Sequence, residues 1–375
     1  MRVLATILAC LFLVSCLAEE QTTQATPETT LQAEAVTKAK FDDAFHPFGY
    51  FVLVDGTIGV VDFFDFKIVN KFKVGHRGVH RVAVLPDNRT LYLANTDNNK
   101  MTKVVMSKDG KKHTATELEQ VPVQLHLWMA SPDGSKVVQT SRVELKDTVL
   151  YEMSPLPDDS IALFDTKTDK FEKTLKLQSP ASAEFSPDGK LLYVTNVHHG
   201  TLSVVDMATF KEIKNIPVGD NEKFLDDVAV SHNGKYLAVA AGSAKQVVVF
   251  DTNTWKIHKT VQLNSLPHDV GFSQDDSELW IVDRDRKPTP ADEAANAAMA
   301  TFVYVHDVAT GDLKRKIEPP VASLRASLPP YAMNDVFLST AVGGVLKVGR
   351  DDGKLRGQLV VGGVGKPVIC GGVAF

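Results

Sequence analysis

Cysteine is scarce in this chain of 375 residues, which holds three. Cys10 and Cys16 lie in the N-terminal apolar stretch, and Cys370 stands alone in the remainder. An internal disulfide is therefore excluded, and the fold has to rest on its core. Basic residues are not in excess: the formal net charge is −5, so nothing points to nucleic acid as a partner. Beyond the N-terminus no run is long and apolar enough to suggest a membrane span. The sequence has no CxxCH, no phosphate-cradling glycine loop and no convincing Ser-His-Asp arrangement, which removes the motifs for c-type haem attachment, nucleotide binding and triad hydrolysis.

The N-terminus reads as an export signal. Arg2 supplies a positive residue, VLATILACLFLV a short apolar core, and LVSC ends at Cys16. Residues 1–16 resemble a bacterial lipoprotein signal, which implies lipid on Cys16; cleavage after Ala18 is the ordinary secretory alternative. Residues 17–40, rich in Thr, Gln, Glu and Ala, cannot bury enough apolar surface to order themselves and are expected to be a tether.

From about Phe41 onward the chain repeats itself. The stretch SAEFSPDGKLLYVTNVHHGTLSVVDMATFKEIKNIPVG, residues 182–219, gives four short runs of β-branched and aromatic residues punctuated by turn residues. Related units precede and follow it: HPFG-YFVLV-TIGVVDF, VAVLPDNRTLYLANT, LHLWMASPDGSKVVQT, LDDVAVSHNGKYLAVAAG, PHDVGFSQDDSELWIVDRD, and a weaker seventh with DVFLSTA and GGVLKVG. Without insertions the period is about 40–50 residues, that of four-stranded propeller blades. An all-β, seven-bladed propeller over residues 41–375 is expected. The first unit begins at its turn, without an innermost strand, and the chain ends in VICGGVAF. Residues 368–375 are thus expected to complete the first blade and close the ring.

LYVTN in the fourth unit resembles the YVTN family of propellers. The third unit, with its long insertion before SIALFD, resembles the propeller subunit of quinohaemoprotein amine dehydrogenase. Propeller subunits of hydrazine-synthase-type complexes are similar in size and architecture. These resemblances imply a non-catalytic subunit or binding scaffold of a periplasmic redox complex. Two insertions, 143–159 and 285–300, fall on one face of the ring, called the top here, and are expected to meet other protein subunits.

Counting back six residues from the proline position of each SPDG-type turn gives His80, His126, Ala181, Asp226 and His268 in blades 2 to 6. Arg325 follows in the seventh and Gly371, beside Cys370, in the closing strand. This position opens each innermost strand at the channel mouth. Imidazoles with a carboxylate suit copper, zinc or nickel, so His80, His126, His268 and Asp226 are candidate metal ligands. Arg325 and Cys370 are candidate contacts for a channel-mouth ligand. The bland alternative is that these side chains hold the strands together. His198 and His199, adjacent on a top loop, are a weaker pair. Asp62, Asp165, Asp206, Asp251 and Asp307 recur at third-strand ends and are expected to accept turn amides. Trp128, Trp255 and Trp280 are expected in the core.

Three functions therefore stay open. One is the redox-complex scaffold. The second is a lactonase-like hydrolase at the channel mouth, in which the imidazoles and Asp226 polarise a carbonyl or activate water. The third is a periplasmic metal-binding lipoprotein.

Overall fold

A computed structural model describes residues 48–53, 55–74, 82–95, 100–120, 127–140, 160–219, 224–286, 300–328, 334–340 and 343–362. The chain divides into two units, Met1–Phe45 and His46–Phe375, and every described residue lies in the second. All regular elements among the described residues are strands. They form seven antiparallel meanders, six of four strands and one of three. This is a seven-bladed β-propeller, as the repeat implied.

Blade 4 shows the plan. Its strands are Pro180–Phe185, Leu191–Asn196, Thr201–Asp206 and Lys211–Pro217, from the channel outward. The third strand is buried on both faces, because blades stack face to face. It therefore reads as a continuous apolar run, although antiparallel strands usually alternate. The outermost strand is exposed at five of its first five positions. Lysines recur on such outer strands, for example Lys170, Lys173, Lys211 and Lys214, and charge there blunts an open sheet edge.

Each seam between neighbouring blades carries its own apolar cluster, and the clusters run full circle. Blade 1 meets blade 2 through Tyr50, Val60, Leu91 and Val104. Blade 4 meets blade 5 through Tyr193, Leu202, Val239 and Phe250. The ring closes where Phe51, Val61 and Phe63 of blade 1 pack on Phe337 and Val345 of blade 7 and on Val361. The Phe63 and Phe337 rings lie 4.1 Å apart. Gly59 has no room for a side chain there: a Cβ would stand 2.2 Å from Val361 Cγ1.

Blade 1 has three strands among the described residues, Phe48–Val52, Thr57–Asp62 and Lys67–Lys73. The expected closing strand at 368–375 lies outside the described residues, as do Cys16 and the insertion at 143–159. The sixth-blade insertion is shorter than read from sequence. The strands Glu278–Arg286 and Ala300–Asp307 continue into it, with Arg286 opposite Ala300.

The SPDG turns hold themselves and each other. In blade 3 the Ser131 hydroxyl donates to Asp133 at 2.6 Å and accepts from Lys136 N–H at 2.9 Å. Gly134 follows at φ 71°, a conformation that suits glycine. The prolines of the turns in blades 2, 3 and 4 then abut the glycine of the next blade's turn. A Cβ on Gly134 would meet Pro86 at 2.8 Å, and one on Gly189 would touch Pro132 at 3.5 Å.

The recurrent third-strand aspartates behave as expected. Asp206 accepts Thr209 N–H at 2.8 Å, and Asp251 and Asp307 accept the amides of Thr254 and Thr310 at 2.9 Å each. The Thr209 hydroxyl and amide hold the Asp206 carboxyl below its ordinary range, and the Thr254 and Thr310 amides do the same for Asp251 and Asp307. Trp128 and Trp280 are core residues. Trp255 differs: it sits half-buried in a turn at φ 57° and packs on Tyr193.

Candidate functional site: the channel girdle

The inner strands of blades 4 to 7 share an irregularity at their top ends. In blade 4 the register shifts between Pro180 and Ala183, and in blade 5 between Leu225 and Val228. Blades 6 and 7 shift between Pro267 and Asp269 and between Ser323 and Arg325. Such bulges re-aim side chains. Here the re-aimed residues are Ser182, Asp227, Asp269 and Arg325, which occupy one repeat position.

They form a girdle from blade to blade. Thr140 Oγ1 of blade 3 donates to the Ala181 carbonyl of blade 4 at 2.8 Å. Ser182 Oγ donates to Asp227 Oδ1 at 2.7 Å. Asp227 Oδ2 accepts the Val270 N–H of blade 6 at 3.4 Å. Asp269 accepts the Ala326 N–H of blade 7 at 2.9 Å and Arg325 Nη1 at 2.9 Å. The same Nη1 stands 3.9 Å from Asp227 Oδ2. The Asp227 and Asp269 side chains are 6% and 5% exposed. Carboxylates that deep are tolerated only when paired and hydrogen-bonded, and each of these reaches the next blade's backbone.

Beneath the girdle lies a cavity of about 410 Å³, walled by the inner strands of blades 2 to 7. Glu184, Met129 and Ala229 line it, and His232 stands toward the turn face. At that end the seam between blades 5 and 6 breaks the proline–glycine rule. His232 takes the proline place and Asp276, at φ 56°, the glycine place. Asp276 accepts His232 N–H at 2.7 Å and Asn233 N–H at 2.8 Å, and its Oδ1 faces His232 Nδ1 at 3.0 Å.

A second polar cluster joins blades 6 and 7 on the outer side. Glu278, 5% exposed, accepts Arg315 at 2.6 Å and Trp280 Nε1 at 3.3 Å. Lys314 lies at 3.1 Å, and Arg350 of blade 7 donates at 3.3 Å. Burial pushes the Glu278 carboxyl up, but its bonds to Arg315 and Lys314 outweigh that and leave it below its ordinary value. Arg350 also holds Asp275 at 2.8 Å.

His268 and Asp226 sit half-buried at the position chosen from sequence, one step before the girdle. Arg325 does not share that position. It pairs with Ser339 and stands in register with Asp227 and Asp269, so Leu324 is the equivalent of Asp226. The structure brings Arg325 to Asp269 and Asp227, and brings Ser182 to Asp227. His80, His126 and Cys370 lie outside the described residues. Among the described residues no three His, Cys, Asp or Glu side chains cluster as a metal site would require. Sequence reasoning stopped one residue short of Asp227 and Asp269. The signal was present in the pairs Asp226-Asp227 and His268-Asp269, whose second members recur in consecutive blades.

The YVTN segment is the second strand of blade 4. Its Thr195 Oγ1 accepts Ser182 N–H at 2.9 Å, and Asn196 Nδ2 donates to Thr201 at 2.9 Å and Ser203 at 2.8 Å. The motif's polar pair thus ties off the strand end beside the girdle.

The fold and girdle define a propeller whose channel-end polar residues join blade to blade. A family model described as the cytochrome D1 heme domain matches residues 146–279, a minority of the chain. No curated protein matches. Among solved structures, hydrazine synthase of Kuenenia stuttgartiensis is similar, with a TM-score of 0.58 and 16% identity over 73% of this chain and 77% of that one. A functionally unknown protein from Desulfotomaculum acetoxidans DSM 771 has a TM-score of 0.64 and 14% identity, over 87% of this chain and 98% of that one. Identities this low show the fold alone.

Haem, implied by the description of the matching family, can be tested against the channel wall. Haem iron takes an axial His, Met, Cys or Tyr. Met129 and His232 are such donors among the described lining residues, but His232 is turned to Asp276, and the girdle end of the cavity presents Asp227, Asp269 and Arg325. The described wall therefore does not fit a haem.

Proposed function

We propose that this chain is a non-catalytic propeller subunit, or binding scaffold, of an exported redox enzyme complex. The observation that carries the reading is the girdle. The polar side chains at the channel mouth reach neighbouring blades' backbone and each other, which suits a rigid platform. The partial match to a haem-domain family and the fold likeness to a hydrazine synthase support a redox setting. Export rests on residues 1–16, with lipid on Cys16 as the anchor and the insertions at 143–159 and 285–300 as the partner surface. The test is purification of the tagged full-length protein from its native host after mild cross-linking, with mass spectrometry of the mature N-terminus. The reading expects a cofactor-bearing partner subunit and a lipidated Cys16. Recovery of the chain alone, in a form that hydrolyses lactones, would replace it with the hydrolase reading.

A metal-binding reading is favoured by one observation: His268 and Asp226 stand half-buried at the same position of adjacent inner strands. With His80 and His126 they would hold copper, zinc or nickel through neutral imidazole, and affinity would fall as pH drops through about 6.5. Calorimetric titration of wild type and of the His80→Ala/His126→Ala variant decides it. No heat beyond buffer for the wild type removes the metal.

A further inference from the structure

The cavity beneath the girdle owes its size to one repeat position. Two residues past the girdle position, the inner strands of blades 2 to 7 bring Ala83, Met129, Glu184, Ala229, Gly271 and Ser327 to its wall. Four of the six are Gly, Ala or Ser, so only blades 3 and 4 carry long side chains in this layer. The space of about 410 Å³ is what the four small residues leave open. An apolar cavity of about 150 Å³ already holds benzene, so this one admits an organic molecule. Nearer the turn face the wall is apolar, with Val230, Phe272 and Leu328. The described lining residues also have a charge bias: Glu184, Asp227 and Asp269 are acidic, and Arg325 is basic. Arg325 is held by Asp269 at 2.9 Å and lies 3.9 Å from Asp227, while His232 faces Asp276 at 3.0 Å. The basic groups of this wall are therefore already engaged by carboxylates. Glu184, half-buried, lies outside the girdle and carries the acidic bias into the small-residue layer.

We propose that this cavity binds a small organic cation: an ammonium group at Glu184, on a short apolar body that lies against Met129, Val230 and Phe272. Three effects select that class. A walled cavity with an excess of one sign concentrates the opposite charge. An ammonium donates a charge-assisted hydrogen bond to a carboxylate, which a hydroxyl of the same shape matches only in part. The apolar body gains by covering the valine, phenylalanine and methionine surface. An anion of similar size meets three carboxylates and a guanidinium that is already paired. The site uses none of His80, His126, His268 or Asp226, so it is separate from any metal at the channel mouth. It is also independent of the redox complex, because every wall residue belongs to this chain.

Calorimetric titration of the full chain with benzylammonium, benzyl alcohol and benzoate at neutral pH and low salt tests this. Benzylammonium should bind with a Kd of about 1 mM or tighter, benzyl alcohol at least about tenfold more weakly, and benzoate not at all. Glu184→Gln keeps the shape of the wall and removes the charge. It should weaken benzylammonium at least about tenfold and leave benzyl alcohol where it was. Ala229→Met fills the small-residue layer without touching a charge and should abolish binding of both. If one variant does not fold, the other decides together with the wild-type preference for the cation. No heat from benzylammonium up to about 10 mM, equal affinity for benzyl alcohol, or a Glu184→Gln variant that binds the cation as wild type does would overturn the proposal.

Discussion

The seam between blades 5 and 6 offers a swap with a computable outcome. His232 and Asp276 occupy the places that Pro and Gly hold at three preceding seams. Replacing His232 with Pro removes its N–H and ring contacts to Asp276 and leaves the bond from Asn233. Two partly exposed hydrogen bonds at about 1 kcal/mol each are lost, against a gain of about 0.5 kcal/mol from the stiffer unfolded chain. The expected cost is about 1.5 kcal/mol. Asp276→Gly loses all three contacts, about 3 kcal/mol, and recovers about 1 kcal/mol because glycine adopts φ 56° without strain. The singles therefore sum to about 3.5 kcal/mol. The double variant rebuilds the proline–glycine contact of the seam between blades 4 and 5, where a Cβ on Gly234 would touch Pro187 at 3.5 Å. It should cost no more than about 1.5 kcal/mol, giving a coupling of about 2 kcal/mol. Urea unfolding of the four proteins at pH 7 measures this. Additivity within about 0.5 kcal/mol would show that the two residues do not act as one contact, and would refute the reasoning.

Three further outcomes are expected. Glu278→Ala leaves Arg315, Lys314 and Arg350 around an empty place and should lower stability by about 3–5 kcal/mol, read from the urea midpoint; a change under about 1 kcal/mol would mean the cluster is merely a surface feature. Phe337→Ala removes the ring that closes blade 7 on Phe63 and should cost about 3–5 kcal/mol, whereas an open ring would lose far less. Burial pushes the Tyr193 phenol up to about 12, and Tyr50 and Tyr92 are raised further. Alkaline titration of phenolate absorbance should accordingly find at least these three of the seven tyrosines un-ionised at about pH 11; full ionisation by then would contradict their burial.

The blade plan was legible in the sequence because each blade repeats the same local chemistry. Ser-Pro-Asp-Gly and its variants set the first turn, and in five of the seven blades an aspartate at the third-strand end sets the second. Even the weak seventh unit gave its strands, Asp335–Thr340 and Gly344–Gly349, by that count. The channel site was only half legible. A uniform count of six places Asp226 and His268 correctly but slips on Arg325: blade 7 offers two adjacent prolines, Pro329 and Pro330, and six residues back from Pro330 is Leu324. The bulge at the top of the inner strands of blades 4 to 7 re-aims the following residue, and no sequence period records a bulge. Cross-blade partners were invisible for a simpler reason: Ser182 and Asp227 are separated by a whole blade of chain. The seam formed by His232 and Asp276 was similarly hidden, since each residue alone looks like ordinary turn drift, and only their contact shows that the two changes belong together.

The proposed role of this propeller is that of a platform within a redox assembly. The most direct measurement is cofactor content and turnover of the native complex compared with the isolated chain, by absorbance spectroscopy and a lactone-hydrolysis assay on both. The expected result is a redox-active chromophore in the complex that stays with a partner subunit on dissociation, and an isolated propeller without hydrolytic turnover. A propeller that purifies alone, retains its own bound metal or chromophore, and turns over substrate would contradict it.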